Sequence, residues 1–303
     1  MTGLKRFFKK YGASYFLLSF WLVLFLFFTV IPIVASVLLS FTDFDMVNAL
    51  KPVGVDNYIR LLLDDDIFIK ALGNTLFYAL LTGPAGYLLS FIVAWLINET
   101  GRNMRAALTL IFYAPALAGN VFMAWQYIFS GDAYGILNSL LMRFGFIAEA
   151  IQWQNDPQYN SIVVITVILW MSMGAGFLSF VAGFKQLNTS LYEAAAMDGL
   201  HNRWQELWYI TLPQMVPQLL IGAVLTISTS FAVGYQNSVL TGNPSTDYST
   251  HTVVLHMSDY GYTRLLRLHG GGGAFRHHDR HLDPDKPGTA QPVQRLTASP
   301  ERS

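Results

Sequence analysis

The stretch "YFLLSFWLVLFLFFTVIPIVASVLLS", residues Tyr15 to Ser40, carries no charged residue. It is longer than the roughly 20 residues that a helix rising about 1.5 Å per residue needs to cross the hydrocarbon core of a bilayer. It reads as a spanning helix. Ile33-Val34-Ala35-Ser36 is faintly permissive for signal-peptide cleavage, but the apolar run is too long for a cleaved leader. The rest of the chain agrees with this opening. Of 303 residues, 53% are hydrophobic and only 13% charged, and the mean hydropathy is +0.38, far more apolar than a soluble domain tolerates. Nineteen basic residues balance nineteen acidic ones, so no net charge draws the chain to nucleic acid. There is no cysteine, which excludes disulfides, thiol catalysis and Cys-ligated metals.

Four further apolar stretches of helix length follow: 71–97, 106–129, 161–184 and 216–240. Gly83-Pro84, Pro115 and the pair Gly174/Gly176 would weaken a soluble helix. Inside a membrane bundle, neighbouring helices satisfy the freed backbone groups, and small residues let helices approach. The fold class is therefore all-α, a polytopic membrane helix bundle with five predicted spans. Lys5, Arg6, Lys9 and Lys10 before the first span, and Arg102 and Arg105 in the 98–105 loop, place the N-terminus in the cytoplasm. That orientation puts the loops 42–70 and 131–160 outside and the segment from Glu193 inside. Residues 1–14 form a basic cytoplasmic end and residues 15–264 the transmembrane domain.

Between the fourth and fifth spans lies "EAAAMDGLHNRWQELWYITLP", Glu193 to Pro213. Glu193 to Ala196 are strong helix formers, Gly199 can end that helix, and a second short helical run over 202–209 precedes Pro213, which suits a first-turn position. The outline is a two-part bracket on the cytoplasmic face, over about 191–213. Met197, Leu200, Trp204, Leu207 and Trp208 give it exposed apolar side chains for a soluble partner.

The spacing Glu193-Ala194-Ala195, Gly199 and Ile210-Thr211-Leu212-Pro213 resembles the EAA loop of ABC-importer permease subunits. "VGVDNYIRLLLDDDIFIKALGNTLFYAL" (53–80), "FYAPALAGNVFMAWQYIF" (112–129) and "YGILNSLL" (134–141) resemble the carbohydrate-uptake branch, the maltose and glycerol-phosphate permease type. The resemblance implies a noncatalytic subunit in a bacterial or archaeal plasma membrane. Its implied partners are a second permease subunit, two cytoplasmic ATPase subunits, an extracellular solute-binding protein, a sugar substrate and membrane lipid. No cofactor is bound by this chain and ATP is used by the partner, in keeping with the absence of a G-x-x-x-x-G-K-[ST] phosphate loop from the sequence. Glu193, Ala194, Ala195 and Gly199 take the ATPase-coupling positions.

For the solute path, Ser230, Gly234 and Asn237 fall at i, i+4 and i+7 and so share one face of a continuous helix. The resemblance also points to Tyr113 as a solute-contacting aromatic. The same stripe equally suits packing of helix on helix. An ion-coupled secondary transporter is the rival reading, and would need acids or bases within the spans and an internal repeat. Beyond Arg264 the resemblance stops, and residues 265–303 contain no apolar run long enough for the sixth span it implies. This tail reads as disordered or frameshifted, or as that of a naturally shortened permease, which would be non-functional. Its His277, His278, His281, Asp279 and Asp283 lack an apolar shell, and no metal site is expected there.

Overall fold

A computed structural model describes residues 3–44 and 49–264. The tail and its histidine group lie outside the described residues. The chain divides into two compact units, Met1–Gly73 and Asn74–Ser303.

In the first unit, α1 (Gly3–Phe25) runs through a π-helical turn (Leu26–Val30) into α2 (Ile31–Leu39). Ser14–Leu39 is apolar enough to cross a membrane, and none of its residues is buried within the chain. Phe16 and Phe28 are 77% and 72% exposed, as lipid-facing residues should be. The following loop is organised by Asn57, whose amide donates to the Ser40 carbonyl at 2.9 Å and the Thr42 carbonyl at 3.0 Å. Asn57 belongs to the short α3 (Asp56–Ile59), whose Tyr58 hydroxyl meets Ser40 Oγ at 2.6 Å.

Helix α4 (Asp66–Asn98) passes through Pro84 without a break. In the second unit it is followed by α5 (Arg102–Leu117), a 3-10 turn and α6 (Ala124–Ile128), the two halves bent by 85° just after Pro115. α7 (Ile136–Arg143) lies in a loop closed by the buried Asn138, which accepts from Trp153 Nε1 at 2.7 Å and donates to the Ile151 carbonyl at 3.0 Å. α8 (Asn160–Met171) and α9 (Ala175–Lys185) are two parts of one span. α10 (Thr189–Met197), α11 (Arg203–Glu206), a π turn (Leu207–Thr211) and α12 (Leu212–Gln214) form the polar bracket. α13 (Val216–Phe231), α14 (Tyr235–Thr241) and α15 (Val253–Ser258) complete the described helices. Among the described residues, three helices are long and apolar enough to span, or up to five if each bent pair is one span.

Two apolar clusters hold this unit together. Phe91, Phe177, Phe180, Phe184 and Met215 centre one, and Tyr78, Phe122, Val163, Val167 and Leu240 the other. Helix α4 runs from the second cluster to the first. α9 packs along α13 at small residues: a Cβ at Gly222 would lie 2.5 Å from the Phe180 ring, and one at Gly176 would lie 3.2 Å from Thr226 Oγ1. Without a hydrophobic drive between helices in lipid, such close approach is what holds them.

Gly222→Val should therefore lower the thermal midpoint of the detergent-purified protein by several degrees, an overpacking cost of about 1–3 kcal/mol. Gly73→Ala, where a Cβ meets nothing within 4 Å, should leave that midpoint unchanged or raise it. Equal midpoints for the two variants would show that the α9/α13 contact is not tight.

Candidate functional site

Two places in the second unit concentrate polar groups, and both are built where helices stop. The first is the bracket. Asn188 caps α10 by accepting from Ser190 N at 3.1 Å, and Asn202 caps α11 by accepting from Trp204 N at 3.0 Å. At its other end α10 closes by a paired turn: Leu200 N donates to Ala195 O at 3.0 Å and Gly199 N to Ala196 O at 3.3 Å. Gly199 has φ +89°, the left-handed conformation this six-to-one, five-to-two closure needs, and one that a Cβ resists. So Gly199 makes the bend expected of it, and Ala195 and Ala196 supply the carbonyls. Glu193 and Ala194 are exposed and Ala195 half-buried on the same helix. Pro213 sits in the first turn of α12, as its missing N–H favours.

The bracket's apolar face differs from the reading of the sequence at two residues, the first being Leu200, which is half-buried. Met197, Trp204 and Trp208 are exposed, but Leu207 is buried among Phe184, Met215 and their neighbours. The reason is the π turn at 207–211, which turns Leu207, Ile210 and Thr211 into the bundle. Tyr192 pins the two halves of the bracket by a 2.7 Å hydrogen bond between its hydroxyl and that of Thr211. Burial pushes the Tyr192 phenol above its ordinary value, the Thr211 bond opposes this, and the Glu206 and Glu99 carboxylates add to the rise. The hydroxyl thus stays protonated near neutral pH.

The second place is a cavity of about 300 Å³ at the middle of the bundle. It lies between two helix breaks. In the first, Ser172 and Gly174 separate α8 from α9, Ser172 Oγ donates to Leu169 O at 2.7 Å, and Ser90 Oγ donates to Ser172 O at 3.3 Å. In the second, Ala232 to Gly234 separate α13 from α14, and Thr252 Oγ1 donates to Val233 O at 2.8 Å. Thr82, Ser172, Thr226, Thr229, Ser230 and Gln236 give the wall its polar groups, Met171, Ile168, Leu225 and Val233 apolar ones, and no charged residue lines it. Irregular backbone at membrane depth is tolerated only where it is buried in protein or lines a cavity. Both breaks here meet that condition.

Of the residues singled out for the solute path, Ser230 lies on this wall. The stripe Ser230, Gly234, Asn237 is not one helix face, because the helix ends at Phe231 and restarts at Tyr235. A Cβ at Gly234 would lie 2.8 Å from Val254 Cγ1, so packing of the returning chain enforces the break. Asn237 is fully buried and its amide donates to Thr250 O at 2.9 Å. It holds the loop that follows α14. Tyr113 packs at the edge of the phenylalanine cluster. Thr82, Ser172, Thr229 and Gln236 were missed by sequence reasoning because isolated hydroxyls in three separate spans show no common period. The one available signal was Ser172 beside Gly174 and Gly176, which marks a helix break.

Gly199→Val should strain the closing turn by roughly 1–2 kcal/mol, giving about tenfold faster hydrogen exchange at the Leu200 amide, whereas Gly199→Asn should change it little. Equal exchange in both variants would show that the left-handed turn does not close α10.

Comparison with known proteins places this arrangement. A family model described as "Binding-protein-dependent transport system inner membrane component" matches residues 86–255, a range that contains the bracket and all of the named cavity wall but Thr82. The chain is 32% identical over 259 residues to "Probable ABC transporter permease protein YesP" of Bacillus subtilis (strain 168), covering 84% of this chain and 82% of that one. It is 29% identical over 236 residues to "Lactose transport system permease protein LacF" of Rhizobium radiobacter, covering 76% of each. In fold it is similar to a bacterial ABC transporter "involved in the import of the acidic polysaccharide alginate", with TM-score 0.70 and 24% identity over 87% of this chain and 88% of that one. A second structure of an alginate transporter, in complex with "alginate pentasaccharide-bound periplasmic protein", gives TM-score 0.68 over the same shares. The helix breaks, the glycine-closed bracket and a family match over more than half of the residues lead to one assignment: the chain belongs to the inner-membrane components of binding-protein-dependent transport systems, the ABC-transporter permeases.

Proposed function

We propose that the chain forms part of the translocation path of an ATP-driven importer for a neutral sugar or related polyol, and couples to a separate cytoplasmic ATPase through the bracket over 191–213. The observation that carries this reading is the pairing, in one compact unit, of a capped polar bracket with a hydroxyl-lined cavity set between two helix breaks. Broken helices at the middle of a bundle are where transporters hold solute. A sugar needs hydroxyl and amide partners beside apolar surface, and the cavity wall offers both. The lack of any charged group on that wall favours a neutral solute over an acidic one, and leaves an ion-coupled mechanism without the titratable groups it requires.

In this reading Glu193 makes the charged contact with the ATPase, Ala194 and Ala195 allow its close approach, and Gly199 sets the angle of the bracket. Glu193 is exposed, and no ion pair engages it among the described residues. Ser230 meets the solute on the cavity wall, and Tyr113, Gly234 and Asn237 are the further positions of the solute path. The partners are a second permease subunit, two ATPase subunits and an extracellular solute-binding protein, in a bacterial or archaeal plasma membrane with the N-terminus in the cytoplasm. Relatives named for lactose and for arabinooligosaccharides support the solute class.

Because the chain has no cysteine, single cysteines report orientation directly. A cysteine replacing Tyr134, 96% exposed, should react with an impermeant maleimide added outside intact cells, and one replacing Met197, 89% exposed, only after the membrane is opened. The opposite pattern would overturn the orientation. In proteoliposomes holding the complete importer, Glu193→Arg should reduce ATP-dependent sugar uptake at least tenfold and loosen co-purification of the ATPase. Ser230→Trp should block uptake with the ATPase still bound. Undiminished uptake in Glu193→Arg would sink the coupling role, and in Ser230→Trp the solute path.

A further inference from the structure

The bracket is fastened to the end of α4 by two neighbouring residues. Arg203 reaches Glu99 Oε2 at 3.2 Å with one terminal nitrogen and Glu206 Oε2 at 3.1 Å with the other. Trp204 rests against Trp95, ring centroids 5.4 Å apart, one turn before Glu99. The turn that carries Glu99 is itself closed, because Arg105 Nη2 donates to the Asn98 carbonyl at 2.6 Å and the Thr100 carbonyl at 3.2 Å. A charge contact and a ring contact therefore join the second half of the bracket to α4. The other half is tied back to the bracket's own end, through Tyr192 and Thr211 and through Asn188, whose N–H donates to Gln214 Oε1 at 3.0 Å.

Helix α4 is continuous from Asp66 to Asn98, so a displacement imposed at its end is carried along it. Farther up, α4 comes close to the first break at Ser172 and to Ser230 in the last turn of α13, just before the second. A Cβ at Gly83 would lie 3.1 Å from Ser230 Oγ, and one at Gly86 would lie 2.9 Å from Ser172 Cβ. The backbones approach closely there because glycine has no side chain, and Ser90 on the same helix donates to the Ser172 carbonyl at 3.3 Å, so a shift of α4 bears on both regions. Beside the fastening lies a cavity of about 490 Å³ bordered by Trp95, Glu99, Tyr192 and Arg203.

We propose that Arg203 and Trp204 are positioning residues that transmit movement of the bracket to α4, and through Gly83 and Gly86 to both helix breaks at the solute cavity. The proposal rests on the coupling role given to the bracket above. It assigns the link to Arg203 and Trp204, separate from the ATPase contact given to Glu193. Side chains of Arg203 and Glu99 are 66% and 41% exposed, so their pairing adds little to folding stability. The variants should fold.

The test is solute moved per ATP hydrolysed, measured on the complete importer in proteoliposomes. Arg203→Ala should keep the ATPase bound and hydrolysing ATP while this ratio falls at least fivefold. Arg203→Lys should restore most of it. Glu99→Gln combined with Arg203→Ala should be no worse than Arg203→Ala alone, because both remove one link. An unchanged ratio, an equal fall in hydrolysis and uptake, or independent additive losses would each overturn the proposal. Failure of the underlying reading looks different: Glu193→Arg would then leave ATPase binding and uptake intact.

Discussion

A peptide group in hydrocarbon must find its hydrogen bond within the protein. At the two breaks that border the cavity, a side chain or a neighbouring segment supplies what the helix no longer does. Ser172 bonds back to Leu169 O while Ser90 reaches the freed carbonyl of Ser172. Thr252, from the returning chain, takes Val233 O. The breaks persist because these partners exist. The cavity persists because the breaks face one another across it.

This requirement also explains the pattern of small residues. Helix α4 can pass between the two breaks because Gly83 and Gly86 bring its backbone against Ser230 and Ser172. On the opposite side, Gly176 and Gly222 let α9 and α13 close on each other. Large aromatic side chains then fill the space above and below, with Phe177 and Phe180 fully buried in one cluster and Tyr78 and Phe122 in the other. Polar lining is thus confined to one level of the bundle. Apolar clusters hold the levels on either side.

The bracket obeys the opposite rule. In water a short helix is marginal, and α10 lasts only from Thr189 to Met197. Asn188 at one end and Gly199 at the other satisfy its terminal groups. The π turn at 207–211 anchors it by burying Leu207 and Ile210. What remains exposed is a rigid, mixed surface of Glu193, Met197 and Trp208, suited to being pushed as a unit.

Membrane class, the positions of the apolar runs and the bracket with its glycine were legible in the sequence. Each follows from local composition or from a residue whose backbone preference admits few alternatives. Uncharged stretches such as 15–40 have one stable environment, and a glycine at position 199 followed by Leu200 suits the end of a helix. The breaks in the last spans, the inward turn of Leu207 and the membership of the cavity wall were decided only by tertiary structure. Gly234 lies in a break between helices, with Val254 against it, and Thr82, Ser172 and Thr229 become one site because three helices meet. Such contacts join residues distant along the chain, and no period within a single segment records them.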